Sequence, residues 1–203
     1  MHLIGKVGSV MGAIGIVGGG VAAVNHFYKG FRNVSERLTG AGFKVLDING
    51  DASEWQTVET AYTQESRADK KFKETLTTAK ENCKIALQNN PSDASAYPLA
   101  SKWCVKVETM EQMLTRNEYT KLTKVPADTT NKEKWQEKIE SLKKYSGEEK
   151  INIDFTKTVD EQIAELQGEC DKITAETIKT HNTDDFEKKF IQAKEWCATK
   201  NSL

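Results

Sequence analysis

With 203 residues, 29 Lys and Arg against 30 Asp and Glu, and a formal net charge of −1, the chain has neither the basic excess of a polyanion binder nor an acidic tail, so no nucleic-acid partner is expected. The length admits one large domain or two small ones. Only 3 prolines in a Lys-, Glu- and Thr-rich chain favour helices over a sheet-built fold, and the three histidines, His2, His26 and His181, are too scattered to suggest a catalytic or metal cluster.

Residues 7–24, VGSVMGAIGIVGGGVAAV, contain no charged side chain; Lys6 precedes them, and Lys29 and Arg32 follow. A helix of that length rises about 27 Å, just enough for a bilayer core, although the glycines lower both helix propensity and hydrophobicity. Three readings stay open: a membrane anchor, a cleaved signal peptide with Val21-Ala22-Ala23 as processing site, or a glycine-rich tail packed on the protein. The basic residues after the segment (Lys29, Arg32, Arg37, Lys44) argue for a cytoplasmic body.

The body reads as one pattern written twice. Ser35 to Leu46, SERLTGAGFKVL, matches Glu111 to Leu122, EQMLTRNEYTKL, through Leu38-Thr39 with Leu114-Thr115, Phe43 with Tyr119, and Leu46 with Leu122. A tryptophan helix follows in each case: Trp55, Val58 and Tyr62 share one face, as do Trp135, Ile139 and Leu142, with Tyr145 near the stripe. Next comes a cysteine helix. Phe72, Leu76, Ala79, Cys83 and Ala86 recur at steps of three and four, and so do Val159, Ile163, Leu166, Cys170 and Ile173. A third helix carries Tyr97, Ala100 and Cys104 in the first copy and Phe186, Phe190, Ala193 and Cys197 in the second. It closes on Trp103-Cys104 and Trp196-Cys197. Thr183 suits the N-cap of the last helix, with Asp184 and Asp185 at its positive end.

These elements predict an all-α fold: two tandem similar helical units of about three helices each, residues 34–106 and 107–203, after a hydrophobic helix in residues 1–33. The joint, VKVETMEQ, contains neither Pro nor Gly, so a helical connection is expected. Units this small have marginal cores, for which cross-links are useful. If the two last helices of each unit pair, Cys83 meets Cys104 and Cys170 meets Cys197, and Trp103 and Trp196 cover the bridges. The alternative is two pairs of reduced, buried cysteines acting as small hydrophobes. Neither a zinc site nor a cysteine nucleophile is expected, because no C-x-x-C spacing and no accompanying histidine is present.

Other stretches have plain readings. DINGDASE, 47–54, spaces Asp47, Asn49 and Asp51 like a calcium loop, but Val58 stands where a bidentate glutamate is required. Asn49-Gly50 reads as a turn and Ser53 to Gln56 as a capping box. Gly18-Gly19-Gly20 lacks the Lys-Ser/Thr of a phosphate loop. Asn33-Val34-Ser35 is a three-residue glycosylation match, and the charged run 132–150 reads as a solvated helix face.

The order of SERLTGAGFKVL, EWQTVETAY, SKWCVKVETMEQML and a closing EWC, behind a glycine-rich hydrophobic segment, resembles the paralogous family of uncharacterised, membrane-anchored proteins of haemotropic mycoplasmas. The likeness covers nearly the whole chain; VETMEQML departs from it, where a more Ser/Thr-rich start is expected. It implies a single-pass cell-membrane protein with an extracellular body, or a secreted one if cleaved after Ala23. Its partners would be the membrane and a host protein or antibody. It implies no catalytic residue. The resulting expectation is a non-enzymatic surface protein without cofactor, in which Trp55, Trp103, Trp135, Trp196 and the four cysteines are scaffold. The alternative is an intracellular, membrane-tethered adaptor with reduced thiols.

Overall fold

A computed structural model describes residues 30–73, 76–125 and 131–201. The predicted hydrophobic segment at 7–24, its processing site, the triple glycine, His2 and His26 lie outside the described residues. Among the described residues no helix is long and apolar enough to cross a membrane.

The fold is mainly helical. In chain order come α1 (Val34–Gly40), α2 (Ala52–Gln64), α3 (Ala79–Ala86), α4 (Ala96–Trp103), α5 (Met110–Arg116), β1 (Tyr119–Lys121), α6 (Lys132–Lys144), α7 (Val159–Ile173), α8 (Phe186–Gln192), a π-helical turn at Ala193–Cys197, and β2 (Ala198–Lys200). Where about three helices per unit are expected, the leucine segments are themselves helical, so among the described residues each stretch holds four α-helices.

Side chains set the helix starts. Asn33 caps α1 by accepting from the Glu36 amide, and Thr109 caps α5 in a capping box with Gln112. The capping box expected at Ser53 is displaced: Asp51 is the cap of α2, accepting from the Ser53 amide, and the helix begins at Ala52. The Asn49-Gly50 turn forms, with the Gly50 amide donating to the Asp47 carbonyl at 3.0 Å. The cysteine helix of the first stretch is shorter than its stripe suggests. Thr78 caps α3, and the Glu59 carboxylate of α2 takes the Ala79 and Lys80 amides at 2.9 and 2.8 Å, so Phe72 and Leu76 precede the helix. Val159, the first residue of α7, is exposed and leaves its stripe. The cap of α8 is Asp185, not Thr183.

The first part of the joint between the two stretches, 105–109, is extended where a helix is expected, and only from Met110 does the joint run into α5. Val105 bridges Val45, and Thr109 bridges Lys179. Thr180 takes up the main-chain groups between these bridges. Its amide donates to the Glu108 carbonyl at 3.1 Å, its hydroxyl donates to the Lys106 carbonyl at 3.1 Å, and that hydroxyl accepts from the Glu108 amide at 3.3 Å. These external partners satisfy the strand-like backbone better than a helix between two bridged ends would.

One hydrophobic cluster runs through the described residues, from Val34 to Ala198. The predicted stripes supply most of it: Leu38, Phe43, Leu46, Trp55, Val58, Tyr62, Leu114, Leu122, Trp135, Ile139, Leu142, Ile163 and Leu166 are all buried. The Phe43 and Phe186 rings meet at 6.2 Å, far apart in sequence.

Many contacts occur twice. The Leu46 amide donates to the Cys104 carbonyl at 3.0 Å, and the Leu122 amide donates to the Cys197 carbonyl at 2.9 Å. The first belongs to the Val45–Val105 bridge, the second to the antiparallel β1–β2 pair, in which Lys121 faces Ala198. After α1 the Gly42 amide donates to the Thr39 carbonyl, and after α5 the Glu118 amide donates to the Thr115 carbonyl, both at 3.0 Å. Among the described residues Gly42 and Glu118 are the two positions with positive φ, +92° and +66°. A single left-handed residue is needed there to swing the chain from helix into strand. Gly42 has a further reason: a Cβ would stand 2.7 Å from Asn117 Oδ1 and 3.0 Å from Phe190.

Candidate functional site

The cysteines pair in two disulfides, and each of the four tryptophans is bonded to a main-chain carbonyl. Cys83 on α3 is bonded to Cys104 just after α4, with Cα atoms 5.4 Å apart. Cys170 on α7 is bonded to Cys197 at the end of the π-helical turn, with Cα atoms 5.5 Å apart. All four are buried, and no free cysteine is present among the described residues. Each bridge ties a cysteine helix to the helix after it.

Each indole also fastens a loop. The Trp103 N–H donates to the Lys70 carbonyl at 2.7 Å, and its ring meets Tyr62 edge-on at 5.2 Å. The Trp196 N–H donates to the Glu149 carbonyl at 3.0 Å, and its ring meets Tyr145 edge-on at 5.1 Å. Trp55 and Trp135 donate to the carbonyls of Asp47 and Thr123, at 2.8 and 2.9 Å. A buried indole loses water at its one donor, so a main-chain carbonyl at that point both satisfies it and fixes the loop. The arrangement supplies cross-links and aromatic packing, with no thiol for nucleophilic chemistry.

A cleft of about 750 Å³ opens between α3, α4, the segment Asp69–Lys73 and residues 180–188. At one end Asp184 receives three cations. Its carboxylate lies 3.1 Å from Lys102 Nζ, 2.9 Å from Arg67 Nη1 and 3.6 Å from Lys70 Nζ. The Lys102 side chain is buried, and Glu65 at 3.3 Å is its second acceptor. Partial burial works against ionisation of Asp184, but the bonds from Lys102 and Arg67 outweigh it and hold the carboxyl below its ordinary range. Glu65 is also held well below its ordinary range, chiefly by the side-chain bond from Arg67.

At the other end the Arg37 guanidinium lies 3.3 Å above the Tyr97 ring and donates to the Pro91 carbonyl at 2.6 Å. Tyr97 also faces Glu187 and favours its charged form. Burial pushes the Glu187 carboxyl above the usual range, against the opposing effects of Tyr97, Arg37 and Lys194. His181 stands nearby in sequence; burial, with Lys179 and Lys102 adding to it, disfavours its charged form.

None of these groups has a sequence signal. Arg37 on α1, Lys102 on α4 and the Asp184–Glu187 stretch are far apart in sequence, and the packing of residues 180–188 beside α4 brings them to one cleft. Asp184, read from sequence as a helix-end carboxylate, is engaged by Lys102 and Arg67. Among the described residues no group of three or more His, Cys, Asp and Glu side chains is arranged to hold a metal ion. No family model, curated protein or solved structure matches the chain.

Proposed function

We propose that the chain is a non-enzymatic, membrane-anchored surface protein whose body is a disulfide-fastened scaffold. Residues 1–33 anchor it, or are cleaved after Ala23 to release it, and the body lies outside the cell. The body is built from two tandem copies of one helical module, 34–106 and 107–203. What supports the duplication is the recurrence of four features at matching places: bridge, indole bond, strand contact and left-handed turn.

The observation that carries the compartment is the pair of closed disulfides, since such bonds persist in oxidising surroundings and are rare in the cytosol. It weighs against the rival reading, an intracellular tethered adaptor with reduced thiols. The resemblance to the membrane-anchored proteins of haemotropic mycoplasmas points the same way. Exposed helix faces and loops would then meet a host protein or an antibody, while the buried cysteines and tryptophans keep those faces in place.

Protease treatment of intact cells tests this reading. Cleavage of the body, together with Cys83–Cys104 and Cys170–Cys197 peptides found by mass spectrometry without reductant, is the expected result. A body untouched on intact cells and four alkylatable thiols would establish the intracellular adaptor instead.

A further inference from the structure

The cleft beside α3 and α4 combines an apolar wall with lysines that form no ion pair among the described residues. Its wall carries Phe72, Ile85 and Leu99. Ile85 is 48% exposed, one of two large hydrophobic side chains so exposed among the described residues. Lys71, Lys73 and Lys188 line the same cleft. Among the described residues none of these three forms an ion pair, whereas Lys70 and Lys102 are paired with carboxylates. Lys71 makes a long bond to the Thr63 carbonyl at 3.5 Å and stands 5.2 Å from the Tyr62 ring centre, looser contacts than those of Arg37. An apolar wall of exposed Ile85 and half-buried Phe72 and Leu99, beside ammonium groups outside any ion pair, is complementary to a ligand with an apolar body and one negative end. The cleft volume, about 750 Å³, falls in the range of roughly 300–1,000 Å³ that organic ligands occupy.

The head-group chemistry follows from the kind of cation. Lysines are compact point charges that attract an anion without demanding the planar, two-pronged geometry of a guanidinium. Arg37, the guanidinium in the cleft, is held on the Tyr97 ring and the Pro91 carbonyl. We infer that this cleft binds a single-chain anionic amphiphile of the fatty-acid class, its chain against Phe72, Ile85 and Leu99 and its head group among Lys71, Lys73 and Lys188. The inference does not depend on which side of a membrane the body occupies.

The test uses the full-length chain in its membrane and a dodecanoate bearing a diazirine on its chain. After irradiation, label is expected on peptides carrying Phe72, Ile85 or Leu99. Unlabelled dodecanoate should compete, and dodecanol should compete at least fivefold less well. Replacing Lys71, Lys73 and Lys188 together by Gln should reduce labelling at least fivefold, and Ile85→Glu should reduce it similarly. Both variants are required to keep the two disulfide-linked peptides, as a check that the fold is intact. The idea is overturned by label confined to residues 1–33, label spread evenly over the body, equal competition by dodecanol, or labelling unchanged in the lysine variant. None of these outcomes bears on protease access to the body, so this inference and the surface assignment fail separately.

Discussion

Removing the first bridge by the double change Cys83→Ala/Cys104→Ala measures how much of the fold rests on its cross-links. The two cysteines are separated by 21 positions, and those of the second bridge by 27. The chain-entropy relation then assigns about 3.3 kcal/mol to the first bridge and about 3.6 kcal/mol to the second at 25 °C. Domains of this size are stable by about 5–15 kcal/mol in total, so either loss is a large share. Urea unfolding of the full-length chain, without reductant, is the assay. With a urea slope of about 2 kcal/mol/M, the midpoint should fall by about 1.6 M. The slope itself should rise, because an unfolded chain freed from its loop exposes more surface. A loss below about 1 kcal/mol with an unchanged slope would refute the reasoning, since the bridge would then not be constraining the unfolded chain.

Gly42→Ala and Glu118→Gly should have opposite signs. At φ +92°, with Asn117 and Phe190 close by, the alanine is expected to cost about 1–3 kcal/mol. At φ +66° the glycine relieves a left-handed side chain and should be neutral or stabilising by up to about 1 kcal/mol; equal signs in urea melts would overturn the paired left-handed turns. Acid should weaken the contact between Asp184 and Lys102. Because Asp184 and Glu65 are both held below their ordinary range, their contribution is complete above the unfolded carboxylate pKa of about 4 and is lost as pH falls through the folded values. Asp184→Asn should therefore lower stability at pH 7 and make the acid limb of a stability–pH curve shallower; an unchanged acid limb would argue against the assignment.

The stripes that place Cys83, Cys170, Trp55 and Trp135 on buried faces were legible because helical periodicity is a local property of the chain. Local geometry also explains where that reading stops. The run from Phe72 to Ala86 keeps a helical spacing throughout, yet the carboxylate of Glu59, on another helix, takes the first amides of α3 and starts it at Ala79. The segment from Val105 to Thr109 has no helix breaker and is nonetheless extended, because Val45 and Lys179 pair with its ends.

The spacing of apolar, tryptophan and cysteine residues by itself determined a mainly helical chain and which faces of most helices are buried. It also suggested a pairing of the four sulfurs, beside the alternative of reduced thiols. Tertiary structure alone decided the strand pairs, the extended segment 105–109, the left-handed turn at Glu118 and the cleft lined by Arg37, Lys102, Asp184 and Glu187. The physical reason is range. A helix face is set by neighbours three and four positions away, whereas a strand bridge, an ion pair or a cleft wall is set by groups that become neighbours only after the chain has closed on itself.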